Sequence, residues 1–577
     1  MAERTEWILS RTEAVARGGM VAAKTEAAAE VGAEILRQGG NAIDAAVATA
    51  FASGVVEPWM SGIGGGGFLV AHFPDRDEAV VVEFPMVAPV GATPDMFPLA
   101  GGVDTGLFGW PAVAGGANIA GPRAVAVPGV PDGLALALEQ YGSGRVSLAQ
   151  AMAPAIRYAE EGRPVTWHTT LTIARDLAQL SRFPATAAVF LDAQGHPPVT
   201  VDQAAPTKLR QPDLARTLRA IADEGPRAFY EGPLAATIVG HLAEQGAPFV
   251  AEDFASYRAT VALALAADYR GHRLLAPGKG TGGTTLVQSM RLLNELDIPA
   301  LGHNTPQALH LIAQAFRQAF ADRFAYLADP DQIDVPLDAL TSIEYACEQA
   351  AMIRREAMGP VRAGDPTRLG VSHGLGASMP HYVGSSGQAA SGSTTHMGVI
   401  DKDGVSVSLT QTLLSLWGSR VVVPGTGVLL NNGMMWFDPE PGRPNSVAGG
   451  KRPLSNMAPA LLTRDGRGVA SLGASGGRLI MNAVAQLAMN LVDHRLGMQD
   501  AIAAPRIDAS TPDLRVSSRL PRPTQEALAA LGHRVMPRVE SAGGSEFASP
   551  VGIHRASDGL LTGGADLFYP AMAIGVE

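Results

Sequence analysis

The sequence predicts an α+β protein, and three observations support this class. Apolar residues recur at helical spacing through the first two thirds of the chain. From residue 394 onward, short segments rich in β-branched residues alternate with turn dipeptides. Between the two parts lies a segment, residues 385–393, that has no aliphatic side chain larger than alanine. This composition is typical of a flexible loop between two domains, because it cannot anchor itself in a core.

The predicted elements follow in order along the chain. Two helices are predicted over 26–38 and 42–51, separated by a glycine pair and an asparagine. A glycine-rich loop at 62–67 leads into strands predicted at 68–73 and 79–84. Further helices are predicted over 131–162, 211–224, 234–245, 305–328 and 344–358. We then expect strands at 394–400, 405–412, 427–430 and 469–472, and a last helix over 478–496.

Composition and charge exclude several classes of protein. The chain has 577 residues and a net charge of −11, which argues against binding to nucleic acid through a basic face. Apolar residues make up 46% and charged residues 17%, so a large interior is expected and disorder is not. The single cysteine, Cys347, excludes a disulfide framework and cysteine-based metal sites. No two histidines have His-x-x-x-His spacing, and we expect neither metal nor cofactor.

The N-terminal residues carry charges every few positions and lack the apolar stretch of a secretory signal. Apolar runs such as 45–56 are shorter than the roughly 18 residues that a membrane span requires. We therefore expect a cytoplasmic protein without membrane contact.

A β-hairpin is predicted directly after the small-residue segment. Its turn lies at 401–404, because the Asp-Gly pair there supplies the positive φ of a tight turn. A three-residue loop would bring Thr394 opposite Thr412, whereas a two-residue loop would pair Thr394 with Gln411. In the first register the two threonine hydroxyls share one face of the hairpin and lie close together.

Thr394 suits a nucleophile that is activated by its own amine. A threonine hydroxyl needs a neighbouring base, and a free α-amine, with a pKa of about 7.7–8.0, can be that base. The amine exists only if the bond between Ser393 and Thr394 is cut. The small residues before it would let the hydroxyl reach the preceding carbonyl. Ordinary β-propensity is the alternative explanation for two threonines that open a strand.

Six segments resemble, in order, the γ-glutamyltransferase family. They are residues 39–46, 64–68, 321–323, 393–404, 451–455 and 473–477. The resemblance runs from about residue 19 to residue 566 and implies the four-layer αββα sandwich of N-terminal-nucleophile hydrolases. It also implies a proenzyme that cuts itself into a large chain, 1–393, holding one half of the core, and a small chain, 394–577. The two fragments would be partners in a heterodimer, which could pair again.

The resemblance assigns roles to individual residues. Thr394 would be the nucleophile and, through its amine, the general base, while Thr412 would hydrogen-bond Thr394 and hold it ready. Gly476 and Gly477 would donate backbone N–H groups to the oxyanion, which is a large electrostatic contribution in acyl transfer. Independently of the resemblance, two glycines before a helix leave N–H donors at its positive end.

Ser455 matches the first of two serines that hold the substrate carboxylate, and Asn456 stands in the place of the second. His396 shares a strand face with Thr394 and could contact substrate, although a structural role is the alternative.

The pocket for the acyl group departs from the family's pattern. Pro85 stands where the family has arginine, Leu414 where it has asparagine, and Gly433 where it has glutamine. Trp436 replaces the acid that would bind the α-amine. A buried ammonium or carboxylate without a partner costs several kcal/mol. We therefore expect a more apolar pocket, lined by Trp436, Leu414 and residues 108–110.

Four arginines remain as candidates for binding a substrate carboxylate: Arg123, Arg420, Arg452 and Arg478. The last two flank the 455 and 477 segments and are better placed by sequence.

These observations predict a self-processing γ-glutamyltransferase-like enzyme of glutathione metabolism. Thr394 would form an acyl-enzyme from an amide donor and pass the acyl group to water or an amine. The altered pocket leaves three other donors open: an oxamate-type amide, a glutaryl amide, and an oxalyl-bearing biosynthetic intermediate in which a C–C bond is cut. An unprocessed, non-catalytic homologue that serves as a binding or scaffold protein is the alternative from another class.

Overall fold

Two seven-stranded β-sheets stack face to face in the computed structural model, and helices cover both outer faces. The structure describes residues 9–76, 78–104, 108–201, 205–366, 392–544 and 546–577. Most of the predicted loop at 385–393 therefore lies outside the described residues.

The strands are β1 (Ala14–Ala16), β2 (Gly19–Ala23), β3 (Gly66–Phe73), β4 (Glu78–Phe84), β5 (Leu99–Val103), β6 (Pro111–Val113), β7 (Arg163–Pro164), β8 (Lys208–Leu209), β9 (Thr260–Leu263), β10 (Leu265–Tyr269), β11 (His272–Ala276), β12 (Gly392–Asp401), β13 (Ser406–Ser415), β14 (Val422–Val423), β15 (Val428–Leu429), β16 (Ala460–Arg464), β17 (Arg467–Ser475), β18 (Ile507–Asp508), β19 (Asp513–Ser517), β20 (Arg534–Arg538), β21 (Ser549–Arg555), β22 (Leu561–Ala565) and β23 (Met572–Val576).

The helices are α1 (Glu26–Arg37), α2 (Ala42–Val56), α3 (Val130–Tyr141), α4 (Leu148–Glu161), α5 (Trp167–Leu180), α6 (Pro184–Phe190), α7 (Pro212–Glu224), α8 (Arg227–Tyr230), α9 (Gly232–Glu244), α10 (Ala251–Ala255), α11 (Gly282–Asn294), α12 (Pro306–Tyr326), α13 (Leu337–Leu340), α14 (Ile343–Met352), α15 (Leu479–Val492), α16 (Met498–Ala503) and α17 (Arg522–Ala530). Within the described residues, none of them is both long and apolar enough to cross a membrane.

Both large sheets draw strands from both parts of the chain. The first sheet has the order β1-β22-β21-β17-β16-β11-β10, and the second has the order β23-β2-β12-β13-β3-β4-β9. Each sheet is antiparallel throughout. Seven of these fourteen strands precede the junction at residue 393 and seven contain or follow it. The sheets are therefore interleaved, and the division into 1–393 and 394–577 does not separate two cores.

Hydrophobic side chains join the layers. Between the sheets, Ile400 packs with Ile553 in one cluster and Phe68 packs with Leu461 in another. Helices α1 to α4 pack on the outer face of the second sheet, and α11, α12 and α15 pack on that of the first. This arrangement is the predicted four-layer αββα sandwich, and the α+β class is confirmed.

The structure corrects one predicted helix and adds elements that the sequence patterns did not indicate. The helix predicted over 131–162 is two helices, α3 and α4, because the chain turns at Gly144, where φ is +73°. Ser147 then caps α4 by accepting a hydrogen bond from the backbone of Gln150. Unpredicted elements include α5, α11 and the strands at both chain ends.

Candidate active site

The predicted hairpin forms from β12 and β13, and its turn has the three-residue loop. The backbone N–H of Asp401 donates to the carbonyl of Val405 at 3.2 Å, and Gly404 has a φ of +87°. Strand pairing follows this register up to Thr395, which lies opposite Gln411. Of the two registers considered from the sequence, this is the one that brings the two threonine hydroxyls together.

Thr394 lies at an irregularity in this strand pair. Beyond Thr395 the register shifts by one residue, so that Ser393 pairs with Leu414. The extra residue lies on β13, where Thr412 and Leu413 together face Thr394, and such a bulge can re-aim a side chain. Thr394 therefore faces the bulge rather than a single partner in the ladder.

Two hydroxyls converge on the carbonyl oxygen of Ser393. Thr394 Oγ1 donates to that oxygen at 2.6 Å and lies 3.3 Å from Thr412 Oγ1. Thr412 Oγ1 also donates to the Ser393 carbonyl and accepts a hydrogen bond from the backbone N–H of Leu414 at 2.8 Å. All of these groups are buried. The arrangement polarises the bond between residues 393 and 394 and sets a hydroxyl beside it.

The two glycines predicted for the oxyanion form the turn between β17 and α15. Gly476 has a φ of +141° and Gly477 a φ of +60°, a region that glycine adopts far more readily than other residues. A Cβ at Gly476 would lie 2.7 Å from Cα of Ala548, so the backbone also passes close to a neighbour there.

Contacts between β12 and β17, which lie in opposite sheets, indicate where this turn lies relative to Thr394. A Cβ on Gly398 would meet the hydroxyl of Ser471, and one on Gly473 would meet the ring of His396. Residues of β12 and β17 therefore face each other in a regular series across the space between the sheets. Extended by two residues, this series would place Ser475, the last residue of β17, opposite Thr394, with the glycine turn directly after it.

A buried arginine holds the loop that contains Ser455 and Asn456. Arg323 donates to the Ser455 carbonyl at 2.7 Å and to Oδ1 of Asn456 at 2.9 Å. Burial lowers the pKa of Arg323 to about 9. Within the part of the chain that the structure describes, Nδ2 of Asn456 is buried and has no hydrogen-bond partner. Arg323 belongs to one of the segments that carried the resemblance, but its contact with the loop was not predicted.

The loop of Ser455 and Asn456 adjoins the predicted pocket wall. Asn445 donates to the Trp436 carbonyl at 2.7 Å and accepts from the backbone of Leu454 at 3.0 Å. These bonds fix the segment around residue 436 beside the segment around residue 455.

The wall itself is apolar. Leu414, Trp436 and Phe108 belong to one buried cluster, and Trp110 packs against it. A Cβ at Gly433 would lie 2.8 Å from Cβ of Ala126, so a glutamine could not enter there without movement of the neighbours. The apolar side chains that were expected to line the pocket are thus brought together.

The four candidate arginines all have partners. Arg123 donates to the carbonyl of Met96, Arg420 to Asp176, and Arg452 to Asp329 and Asp331. Arg478 is buried and attracts the carboxylate of Asp508. Pro85, which replaces the family's arginine, accepts a hydrogen bond from Tyr257 through its carbonyl.

His396 is fully buried between the sheets, and its Nδ1 lies 2.9 Å from the hydroxyl of Thr410. Burial lowers the pKa of His396 to about 3, so the ring is neutral near pH 7. This is the structural alternative considered above.

The residues that sequence reasoning missed lie behind the nucleophile strand. Glu57 accepts a hydrogen bond from Thr395, the neighbour of Thr394, and Lys24 is buried nearby. The signal for Glu57 was a lone acid between an apolar helix and the glycine-rich loop. Among the described residues, no group of three or more His, Cys, Asp or Glu side chains could hold a metal ion.

The chain was compared with known proteins. The family model described as Gamma-glutamyltranspeptidase matches residues 28–575. Acylase ACY 1 proenzyme of Pseudomonas sp. (strain V22) is 36% identical over 548 residues, which cover 95% of this chain and 91% of the acylase. Glutathione hydrolase proenzyme of Bacillus subtilis (strain 168) is 33% identical over 523 residues, covering 90% of this chain and 86% of the hydrolase.

Among solved structures, the cephalosporin acylase from Bacillus halodurans superposes with a TM-score of 0.85 at 27% identity, covering 100% of this chain and 99% of the acylase. The fold, the extent of the family match and these relatives agree with one another. The chain therefore belongs to the gamma-glutamyltranspeptidase family and is an enzyme of its hydrolase and acyltransferase class.

Proposed function

We propose that this chain is a proenzyme that cuts itself before Thr394 and then acts as an amide acylase through the freed threonine. The observation that carries the proposal is the short contact of Thr394 Oγ1 with the Ser393 carbonyl oxygen, at 2.6 Å, with Thr412 donating to the same oxygen. The names of the relatives, several of them proenzymes, support self-cleavage.

In the cleavage step, Thr394 Oγ1 attacks the carbonyl carbon of Ser393. A C–O bond forms, the C–N bond to Thr394 breaks, and the proton from the hydroxyl passes to the departing nitrogen, which becomes the α-amine. Thr412 stabilises the negative charge that develops on the carbonyl oxygen. Water then hydrolyses the ester, which leaves a carboxylate on Ser393 and a free hydroxyl and amine on Thr394.

In turnover, the α-amine of Thr394 accepts the hydroxyl proton while Oγ1 attacks the donor's amide carbonyl. Backbone N–H groups of Gly476 and Gly477 stabilise the oxyanion. The proton passes to the leaving amine as the C–N bond breaks, and an acyl ester remains on Thr394. Water, or an amine acceptor, then attacks the ester carbonyl and gives a proton to the α-amine. As the C–O bond to Oγ1 breaks, that proton passes to Oγ1 and restores the threonine hydroxyl.

The preferred donor is an amide whose acyl group lacks a charged α-ammonium, such as a glutaryl amide. Leu414 and Trp436 support this choice, because neither side chain carries the negative charge that would balance a buried ammonium group. The acylase relatives support it as well. Asn456 carries a donor for a carboxylate or carbonyl in its free Nδ2. Oxamate-type and oxalyl donors, and the pairing of two heterodimers, stay predictions.

The proposal is tested with purified wild-type protein, Thr394→Ala and Thr394→Ser. We expect two fragments from wild type on a denaturing gel, a single band near 59.8 kDa from Thr394→Ala, and slower cleavage in Thr394→Ser, which keeps a hydroxyl. Mass spectrometry after brief exposure to glutaryl-p-nitroanilide should show an acyl adduct on the fragment that begins at Thr394.

Two outcomes would contradict the proposal. Wild-type protein that stays uncut and inactive would favour the non-catalytic homologue. Hydrolysis of γ-glutamyl-p-nitroanilide as fast as that of the glutaryl compound would contradict the altered donor preference but not the nucleophile.

A further inference from the structure

Self-cleavage removes the tether on one side of the nucleophile. Before the cut, Ser393 is held by hydrogen bonds from its hydroxyl to the Ser415 carbonyl at 2.8 Å and to the Met60 carbonyl at 3.4 Å. These contacts cannot position Thr394 once the peptide bond is broken. Because Thr394 lies at the register shift, the first residue with regular strand pairing is Thr395.

Thr395 is bound from behind by a buried carboxylate. Its hydroxyl donates to Oε2 of Glu57 at 2.9 Å, and the hydroxyl of Tyr569 donates to Oε1 at 2.6 Å. Trp59 in turn donates to the Tyr569 hydroxyl at 3.3 Å. Glu57 and Thr395 are both completely buried. Each carboxylate oxygen thus has one specific donor, which fixes the orientation of the group.

Glu57 is bound by residues from both sides of the cleavage junction. Glu57 follows directly after α2, and its backbone N–H donates to the carbonyl of Ser53 at 2.9 Å. Tyr569 comes from the chain segment after the cut, as does Thr395. Glu57 therefore connects the rigid end of a buried helix to the strand that carries the nucleophile.

Nearby cations compensate for the buried charge. Burial raises the pKa of Glu57, while the Tyr569 hydroxyl, the Lys24 ammonium and Arg163 oppose this effect. Nζ of Lys24 lies 3.8 Å from the centre of the Tyr569 ring and donates to the Ser549 carbonyl at 3.1 Å. A buried carboxylate without partners is costly, so these cations and hydrogen-bond donors are what stabilise Glu57 beside Thr395.

We infer that Glu57 is a positioning residue which, through Thr395, holds the free amino-terminal Thr394 in reacting geometry after self-cleavage. The inference rests on the function proposed above. Before the cut, the chain is tethered at both ends of Thr394, so the hydrogen bond to Glu57 matters little. After the cut, losing it lets the terminal residue shift, and a displacement of about 1 Å can lower a rate about 100-fold.

The test separates the two steps in Thr395→Val, which keeps the β-branched shape but lacks the hydroxyl. We expect self-cleavage within about twofold of wild type, and a kcat lower by about 10- to 100-fold with little change in KM. Thr395→Ser keeps the hydroxyl and should retain a kcat within about threefold. Thr49→Val is the matched control, since that buried hydroxyl donates only within α2, to the carbonyl of Ala45.

Glu57→Gln gives a second measurement that does not depend on the folding of Thr395→Val. It removes the charge but keeps an oxygen for Thr395, so kcat should fall below that of wild type by less than about 10-fold while self-cleavage stays within about twofold of wild type. An unchanged kcat in cut Thr395→Val, or equal losses in cleavage rate and kcat, would overturn the inference. Failure of wild type itself to cut would instead contradict the proposed function, which this comparison detects separately.

Discussion

The proposed nucleophile and the predicted pocket wall are built in opposite ways. At Thr394, two hydroxyls and a carbonyl hydrogen-bond one another, and a buried carboxylate supports the next residue. At Leu414 and Trp436, buried apolar side chains pack together, and glycine at 433 leaves no space for a longer residue. In the proposed function, the residues that carry out acyl transfer are therefore separate from those that select the donor. The two properties should respond independently to substitution.

The largest effect is expected at the nucleophile, from Thr412→Val. This change removes a hydroxyl that donates to the Ser393 carbonyl, so self-cleavage should slow by about 100- to 1,000-fold. The measurement is a time course of freshly made precursor on a denaturing gel.

The matched control for this prediction is Thr410→Val, which removes a buried hydroxyl from the same strand but touches His396 rather than the junction. It should cut at the wild-type rate. If Thr412→Val is cleaved at that same rate, the Thr412 hydroxyl does not promote self-cleavage, and the prediction is contradicted.

An intermediate effect is expected at the wall, from Trp436→Asp. An acid there could pair with the α-ammonium of a γ-glutamyl donor, so the ratio of kcat/KM for γ-glutamyl-p-nitroanilide to that for glutaryl-p-nitroanilide should rise about tenfold. Self-cleavage should still proceed. The variant should also lose about 3–5 kcal/mol of stability, since a large buried ring is removed.

Trp436→Phe keeps the wall apolar and should leave the donor ratio near that of wild type. If Trp436→Asp shifts the ratio no further than Trp436→Phe does, the wall does not set donor preference.

The smallest effect concerns acid, and it sharpens the contrast because two buried histidines outside the wall titrate: His396, on the same face of β12 as Thr394, and His168, whose ring packs against Trp59 and Tyr569. Burial lowers the pKa of both His396 and His168 to about 3. An unfolded histidine has a pKa of about 6.5, so below that pH the unfolded chain binds protons that the folded chain does not. Each of these two histidines should therefore lower stability as the pH drops from about 6.5 toward 3, by about 1.4 kcal/mol per pH unit. Asp322 and Asp438, whose pKa values burial raises to about 7 and about 6, contribute in the opposite direction.

Urea unfolding at pH 7.0 and pH 5.0 measures this slope. His396→Gln should change the slope by about 1.4 kcal/mol per pH unit, which corresponds to about one proton. An unchanged slope would show that His396 is not held neutral by the fold.

The hairpin was predictable because its information is local. Counting back from the Asp-Gly turn gave two registers, and the one that sets Thr394 opposite Thr412 matches the observed pairing as far as Thr395 and Gln411. The register shift at Thr394 was not predictable, because it depends on how Ser393 and Leu414 pack against residues that only the fold brings close.

Long-range contacts were beyond the sequence patterns. The hydrogen bond between Thr395 and Glu57 joins residues 338 positions apart, and no spacing rule connects them. The prediction of a single helix over 131–162 was wrong for a different reason. The N-cap at Ser147 is a local signal, but the prediction followed the apolar spacing alone and overlooked it. The apolar wall was inferred from substitutions at known positions, which is why Leu414 and Trp436 were named before their packing was seen.

One further consequence comes from the strand order. β2, near the start of the chain, lies between β12 and β23, and β1 pairs with β22 at the edge of the other sheet. After a cut at residue 393, each of these strand pairs would join one fragment to the other. The two fragments could not separate without breaking the hydrogen bonds of both sheets. The cleaved protein should therefore unfold in one cooperative transition, and neither fragment should stay folded alone.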